Sequence, residues 1–155
     1  MRTKRLVLVL LMIALVAVPS VFATGLGVSV GLNPIGGLPG SNVMFSAKLN
    51  KIPFLMGLGF TIGQEQFAFG FTGDYWMANE NLFSFINYYI GPGFYIGYAN
   101  DLLLGGRLPI GLNIWPIKNL ELFLEIAPTL AVVFSDPIRF PEFGLQGAFG
   151  LRIWF

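Results

Sequence analysis

The sequence predicts an all-β fold, an eight-stranded antiparallel up-and-down transmembrane β-barrel. Three observations lead there. Large apolar residues recur at every second position over stretches of about ten, the period of a strand and not of a helix. Glycine, proline and short polar groups break those stretches repeatedly. The chain of 155 residues is 55% hydrophobic and only 11% charged, against about 25% charged in an ordinary soluble domain.

The elements follow in chain order. Residues 1–23 read as a secretory signal peptide: Arg2, Lys4 and Arg5 precede the apolar run LVLVLLMIALVAV, and Val21-Phe22-Ala23 places small residues at the cleavage positions. The barrel is expected over residues 24–155. Its strands are expected at Thr24–Asn33, Ser41–Asn50, Phe54–Gly63, Phe67–Met77, Leu82–Gly97, Leu102–Trp115, Leu120–Val133 and Phe143–Phe155. Short connections are expected at NKIP (50–53), QEQ (64–66), ANEN (78–81), AND (99–101) and PIKN (116–119), with longer ones at 34–40 and 134–142. In the fifth segment the alternation slips between Phe85 and Tyr88, which points to a bulge.

The sense of the alternation separates two kinds of barrel. In the third segment Phe54, Met56, Leu58, Phe60 and Ile62 oppose Gly57, Gly59, Thr61 and Gly63. In the fourth, Phe67, Phe69, Phe71 and Tyr75 oppose Ala68, Gly70, Thr72 and Asp74. The seventh sets Leu120, Leu122, Leu124, Ile126 and Leu130 against Glu121, Phe123, Glu125 and Thr129. A soluble barrel would turn the bulky set inward, where eight strands leave room for few large side chains. Its outside would then carry too few charges for solubility. With the bulky set outward, strands of about ten tilted residues cross a hydrocarbon layer of roughly 25 Å. Trp115, Trp154 and Phe155 then mark one rim, and Tyr98, Phe134, Phe140 and Phe143 the other.

In that orientation the charged strand residues meet inside: Lys48, Asp74, Arg107, Glu121, Glu125 and Arg152. Charges in a narrow interior of low dielectric must be paired. Counting back from a turn centred near residue 138 places Arg152 opposite Glu125, with Arg107 reaching the same carboxylate. The expectation is an Arg107–Glu125–Arg152 cluster, with Asp74 and Lys48 further round the wall. Inward glycines, Gly70, Gly111 and Gly150 among them, leave space for Tyr89, Tyr95, Phe123 and Trp154.

Composition also excludes functions. Without the three basic residues of the leader, six Lys and Arg face eight Asp and Glu, so nothing favours a nucleic-acid partner. There is no cysteine for a disulfide and no histidine for a catalytic triad. Glu121 and Glu125 lie about 13 Å apart along one strand face, wide for a two-carboxylate hydrolase, which needs about 5–9.5 Å. No catalytic residue, metal site or cofactor is expected.

The closing segment FGLQGAFGLRIWF, with Leu151 and Ile153 alternating up to Phe155, resembles the C-terminal sorting signal of bacterial outer-membrane barrels. That resemblance implies export to the outer membrane and, during biogenesis, recognition by the barrel-assembly machinery. In length and strand count the chain resembles the OmpA/OmpX-type eight-stranded barrels. More narrowly, GGRLPIGLNIW, LELFLEIAPTL and GLRIWF are similar to the small uncharacterised outer-membrane barrel family of spirochaetes. The expectation is a monomeric barrel in outer-membrane lipid with a structural, charge-plugged lumen. The alternatives are a narrow channel or site for small or hydrophobic solutes, and an adhesin-like protein binding a host or envelope protein through its loops.

Overall fold

The computed structural model describes residues 23–36, 39–49, 51–61 and 67–155. The expected signal peptide up to Phe22, the QEQ connection, and Asn50, Ile62 and Gly63 lie outside the described residues. Eleven strands lie among the described residues: β1 (Ala23–Ile35), β2 (Val43–Leu49), β3 (Leu55–Thr61), β4 (Ala68–Asp74), β5 (Ala78–Phe83), β6 (Ile86–Ile90), β7 (Gly93–Tyr98), β8 (Leu102–Arg107), β9 (Ile110–Ile117), β10 (Leu120–Phe134) and β11 (Arg139–Trp154).

Eight of them, β1, β2, β3, β4, β7, β8, β10 and β11, form a closed antiparallel ring. The seam pairs Gly25 with Trp154 and Val28 with Leu151, joining the first strand to the last. β5, β6 and β9 prolong β4, β7 and β8 past a common break. Proline causes it. Pro92 and Pro109 stand between the half-strands and have no N–H to give to the ladder. The register nonetheless carries across, because Tyr75 N–H donates to Pro92 O at 2.9 Å and Leu108 N–H to Pro128 O at 3.0 Å. β9 then continues along β10 (Asn113 opposite Phe123), and β6 along β9.

The reversal between β5 and β6 falls at Ser84-Phe85, with Ser84 at φ 50°. This corrects two expectations. ANEN (78–81) is strand, not connection, and the expected fifth strand is interrupted by this turn; an irregularity is present beside it, as a register shift between Asn81 and Phe83 opposite Asn87 and Ile86. Asn81 ties the turn by donating from Nδ2 to Ser84 O at 2.9 Å and to Asn87 Oδ1 at 3.0 Å. Polar residues sit in β5 because it is the last strand of the sheet order and its residues are mostly exposed. No buried face imposes an alternation there.

In the ring the alternation is most regular along β10, and it has the inverted sense. Along β10, Glu121, Phe123, Glu125, Ala127, Thr129 and Ala131 are buried while Leu124, Ile126 and Leu130 are exposed. Side chains alternate between the two faces of a strand, so the exposed set lies outside the ring and the polar set inside.

Both mouths are narrowed by the chain itself. Beyond β1 the backbone turns back inward at Pro39–Ser41. The Tyr95 hydroxyl donates to Pro39 O, and Gly40 N–H donates to Thr61 Oγ1 at 3.0 Å. Gly40 has φ +74°, a conformation open to glycine. Gly70 on the wall leaves the passage: a Cβ there would come within 2.8 Å of Pro39 O and of the Tyr95 hydroxyl. At the opposite end, which holds both termini of the barrel, Trp154 lies 6.1 Å from Trp76 and 6.0 Å from Trp115, ring centre to ring centre.

Candidate functional site

The interior between those ends is built by five charged side chains from four strands. β10 contributes Glu121 and Glu125, four residues apart on the inward face. β11 contributes Arg152, β8 Arg107 and β4 Asp74. All five are buried, none more than 7% exposed.

They form two linked groups. Arg107 lies between two carboxylates: its Nη2 donates to Glu125 Oε1 at 2.5 Å, and its Nε is 3.2 Å from Asp74 Oδ1. The second contact is an ion pair without hydrogen-bond alignment, since neither of those two atoms has a hydrogen-bond partner. The Tyr89 hydroxyl donates to the other oxygen of Glu125 at 2.7 Å. In the second group Arg152 Nη1 donates to Glu121 Oε1 at 3.0 Å, Asn113 Nδ2 donates to the same oxygen at 2.7 Å, and Trp154 Nε1 donates to Oε2 at 2.8 Å. Glu121 is thus fully buried with three donors, the condition under which a carboxylate persists in a low-dielectric interior.

Aromatic rings join the groups. The guanidinium carbon of Arg152 lies 3.6 Å from the ring centre of Phe123, 5.2 Å from Trp76 and 5.7 Å from Tyr89. Trp76 stacks on Tyr89 at 4.7 Å. Cation–π contacts gain strength when the cation has lost its water. The rings fit because the facing wall is glycine: a Cβ on Gly150 would approach Phe123 Cζ to 2.7 Å, and one on Gly111 would overlap the Tyr89 ring.

The sequence-predicted residues therefore fall as follows. Arg107 meets Glu125 as expected, and Asp74, expected further round the wall, joins them through Arg107. Arg152 does not pair with Glu125: Glu125 stands opposite Ala148, and Glu121 opposite Arg152. The register differs because β10 runs to Phe134 and β11 begins at Arg139, so the turn lies earlier than residue 138. Lys48 also departs from the expectation. Its Nζ donates to the carbonyls of Leu49 (3.4 Å) and Ile52 at the connection after β2, and it forms no ion pair among the described residues. Leu151, Ile153 and Phe155 are exposed on the outer side of β11 and just past it. Sequence reading missed Asn113 and Trp76 as members of the network. Asn113 carried a signal, being a polar residue at an inward position.

A cavity of about 40 Å³ opens beside the first group, lined among others by Ser29, Ser46, Thr72, Asp74, Arg107 and Gln146. Among the described residues no group of three or more Asp and Glu is placed to hold a metal ion.

Fold and interior together define a closed eight-stranded β-barrel with an apolar outside and an ion-paired inside. None of the known protein families, curated proteins or solved structures compared with the chain matches it.

Proposed function

We propose that this chain is an integral outer-membrane barrel whose function is structural, with the ion-paired network filling the lumen in place of an apolar core. One observation carries the reading: in a single strand, β10, Glu121 and Glu125 are buried while Leu124 is 58% and Ile126 52% exposed. Exposed apolar surface continuing around a domain is costly in water and favourable in lipid. A closed ring suits the same setting, because lipid offers no partner to an open strand edge.

Further support comes from aromatic groups at two heights of the outer wall. Phe60, Phe67, Phe69 and Tyr98 follow one another near the loop-bearing end, and Phe54, Tyr75, Phe94 and Phe71 lie lower on the wall, by the break at Pro92. Such rings gather at membrane interfaces. The signal-peptide reading of residues 1–23 and the outward Leu151, Ile153 and Phe155 favour the outer membrane as destination and the assembly machinery as a transient partner. The likeness to OmpA/OmpX-type and spirochaetal barrels belongs to this same proposal, as does the monomeric state.

The polar lining favours one second reading, a narrow channel. Refolding into lipid vesicles separates the two. The structural barrel is expected to show heat-dependent gel mobility and β-type circular dichroism, and to pass no measurable current in planar bilayers. Steady single-channel conductance altered by Glu125→Ala establishes the channel instead. Absence of any mobility shift, with helical circular dichroism, rules out both.

A further inference from the structure

The interior charges do not balance. Three carboxylates, Asp74, Glu121 and Glu125, face two guanidiniums, Arg107 and Arg152, and all five are buried. Lys48, which would restore neutrality, turns instead to the Leu49 and Ile52 carbonyls. The surplus negative charge can be located. Glu121 accepts from three donors and Glu125 from two. Asp74 has one contact with Arg107, at 3.2 Å and unaligned. An undercompensated carboxylate in an interior of low dielectric takes up either a counter-charge or a proton.

Asp74 borders the cavity, and a second residue points to the same place. Gln146 is 4% exposed, lines the cavity, and has no hydrogen-bond partner at either amide atom among the described residues. Buried polar groups rarely go unpartnered without a ligand or water to explain them. Ser29 and Ser46 add hydroxyl oxygens to the wall. Gly27 keeps that part of it open, since a Cβ there would come within 2.6 Å of Ser46 Oγ. The oxygen donors are carboxylate, amide and hydroxyl, the set that suits a hard cation; Arg107 and Arg152 line the same cavity, each already paired with a glutamate. The volume of about 40 Å³ corresponds to roughly three water-sized spheres. It is far smaller than the sites of drug-sized organic ligands.

We infer that the lumen binds one small monovalent cation of the sodium class beside Asp74, with the Gln146 carbonyl oxygen as its neutral ligand and the serine hydroxyls or a water completing the shell. A single positive charge neutralises the interior. The inference goes beyond the structural role and needs only the barrel, so folding is established first by gel mobility and the salt is exchanged afterwards.

The test is equilibrium unfolding in urea of the vesicle-folded protein, in sodium chloride and in N-methylglucamine chloride of equal ionic strength. Wild type is expected to be more stable in sodium. Above the dissociation constant, each tenfold rise in sodium raises the folding equilibrium constant about tenfold. Gln146→Leu, which keeps the volume and removes the oxygen, abolishes the sodium dependence in a barrel that still folds. Asp74→Asn abolishes it too, by removing the surplus charge. Equal wild-type stability in the two salts overturns the inference and leaves the cavity to water or to a proton on Asp74. A full sodium effect retained in both variants overturns it as well.

Discussion

Arg107 and Glu125 stand on separate strands, β8 and β10, and meet at 2.5 Å inside the barrel with neither more than 7% exposed. The same guanidinium also serves Asp74. Arg107→Ala therefore leaves two buried carboxylates near each other without their shared cation. Breaking a buried pair on one side costs about 3–5 kcal/mol, and a fall of that size is expected in the unfolding free energy measured in urea. Adding Asp74→Asn to Arg107→Ala recovers part of the loss, and the double-mutant cycle reports the coupling.

Arg152 is held in two ways, by its bond to Glu121 and by its place over Phe123. Phe123→Leu keeps an apolar side chain but removes the ring face. It is expected to cost about 1–2 kcal/mol, from the cation–π contact and some packing. Arg152→Lys keeps the charge yet loses the planar group that reaches Glu121 and lies on the ring, and is expected to be at least as harmful. Unfolding midpoints of the two variants decide it.

Gly111 faces the Tyr89 ring from the neighbouring strand, and a methyl group there would overlap it. Gly111→Ala is expected to destabilise by about 1–3 kcal/mol, as overpacking does. In the background of Tyr89→Ala the same substitution should be close to neutral. Equal penalties in both backgrounds would show that the glycine is needed for some reason other than the ring.

The membrane reading makes a depth-dependent forecast. Ile126 is 52% exposed near the middle of β10, and Ile117 is 64% exposed at the end of β9. In a bilayer Ile126→Arg should cost about 2–4 kcal/mol and Ile117→Arg only about 0–1 kcal/mol. A barrel surrounded by water would tolerate both equally. Comparing vesicle-folded stabilities of the two variants distinguishes these settings.

The parts of the fold that the sequence displayed most clearly are those where a buried face opposes an exposed one. LELFLEIAPTLAVV alternates without a fault, and β10 follows it residue by residue. The segment ANEN misled because polar residues in an exposed end strand look like polar residues in a turn. The breaks at Pro92 and Pro109 were visible as prolines, but not their alignment at one level, since that alignment depends on register. Register is also why the sequence brings Arg107 to Glu125 but leaves Asp74 further round the wall and gives Arg152 the wrong carboxylate. Alternation assigns the face, whereas the partner across the ladder depends on where the turn begins. Lys48 lay beyond pattern reading for a different reason: its long flexible side chain carries the ammonium to the Leu49 and Ile52 carbonyls.

The pairing of β1 with β11 bears on the order of assembly. The charged partners all sit on β4, β8, β10 and β11, so their mutual contacts need no strand before β4. The inward face of the strand that closes the ring carries Gly25, Gly27, Ser29 and Gly31, with no ionisable group. Closure joins the most distant stretches of the sequence, a slow step for any chain. Here that step strips water from no ion on the incoming strand: the ladder can zip last along glycines and one serine.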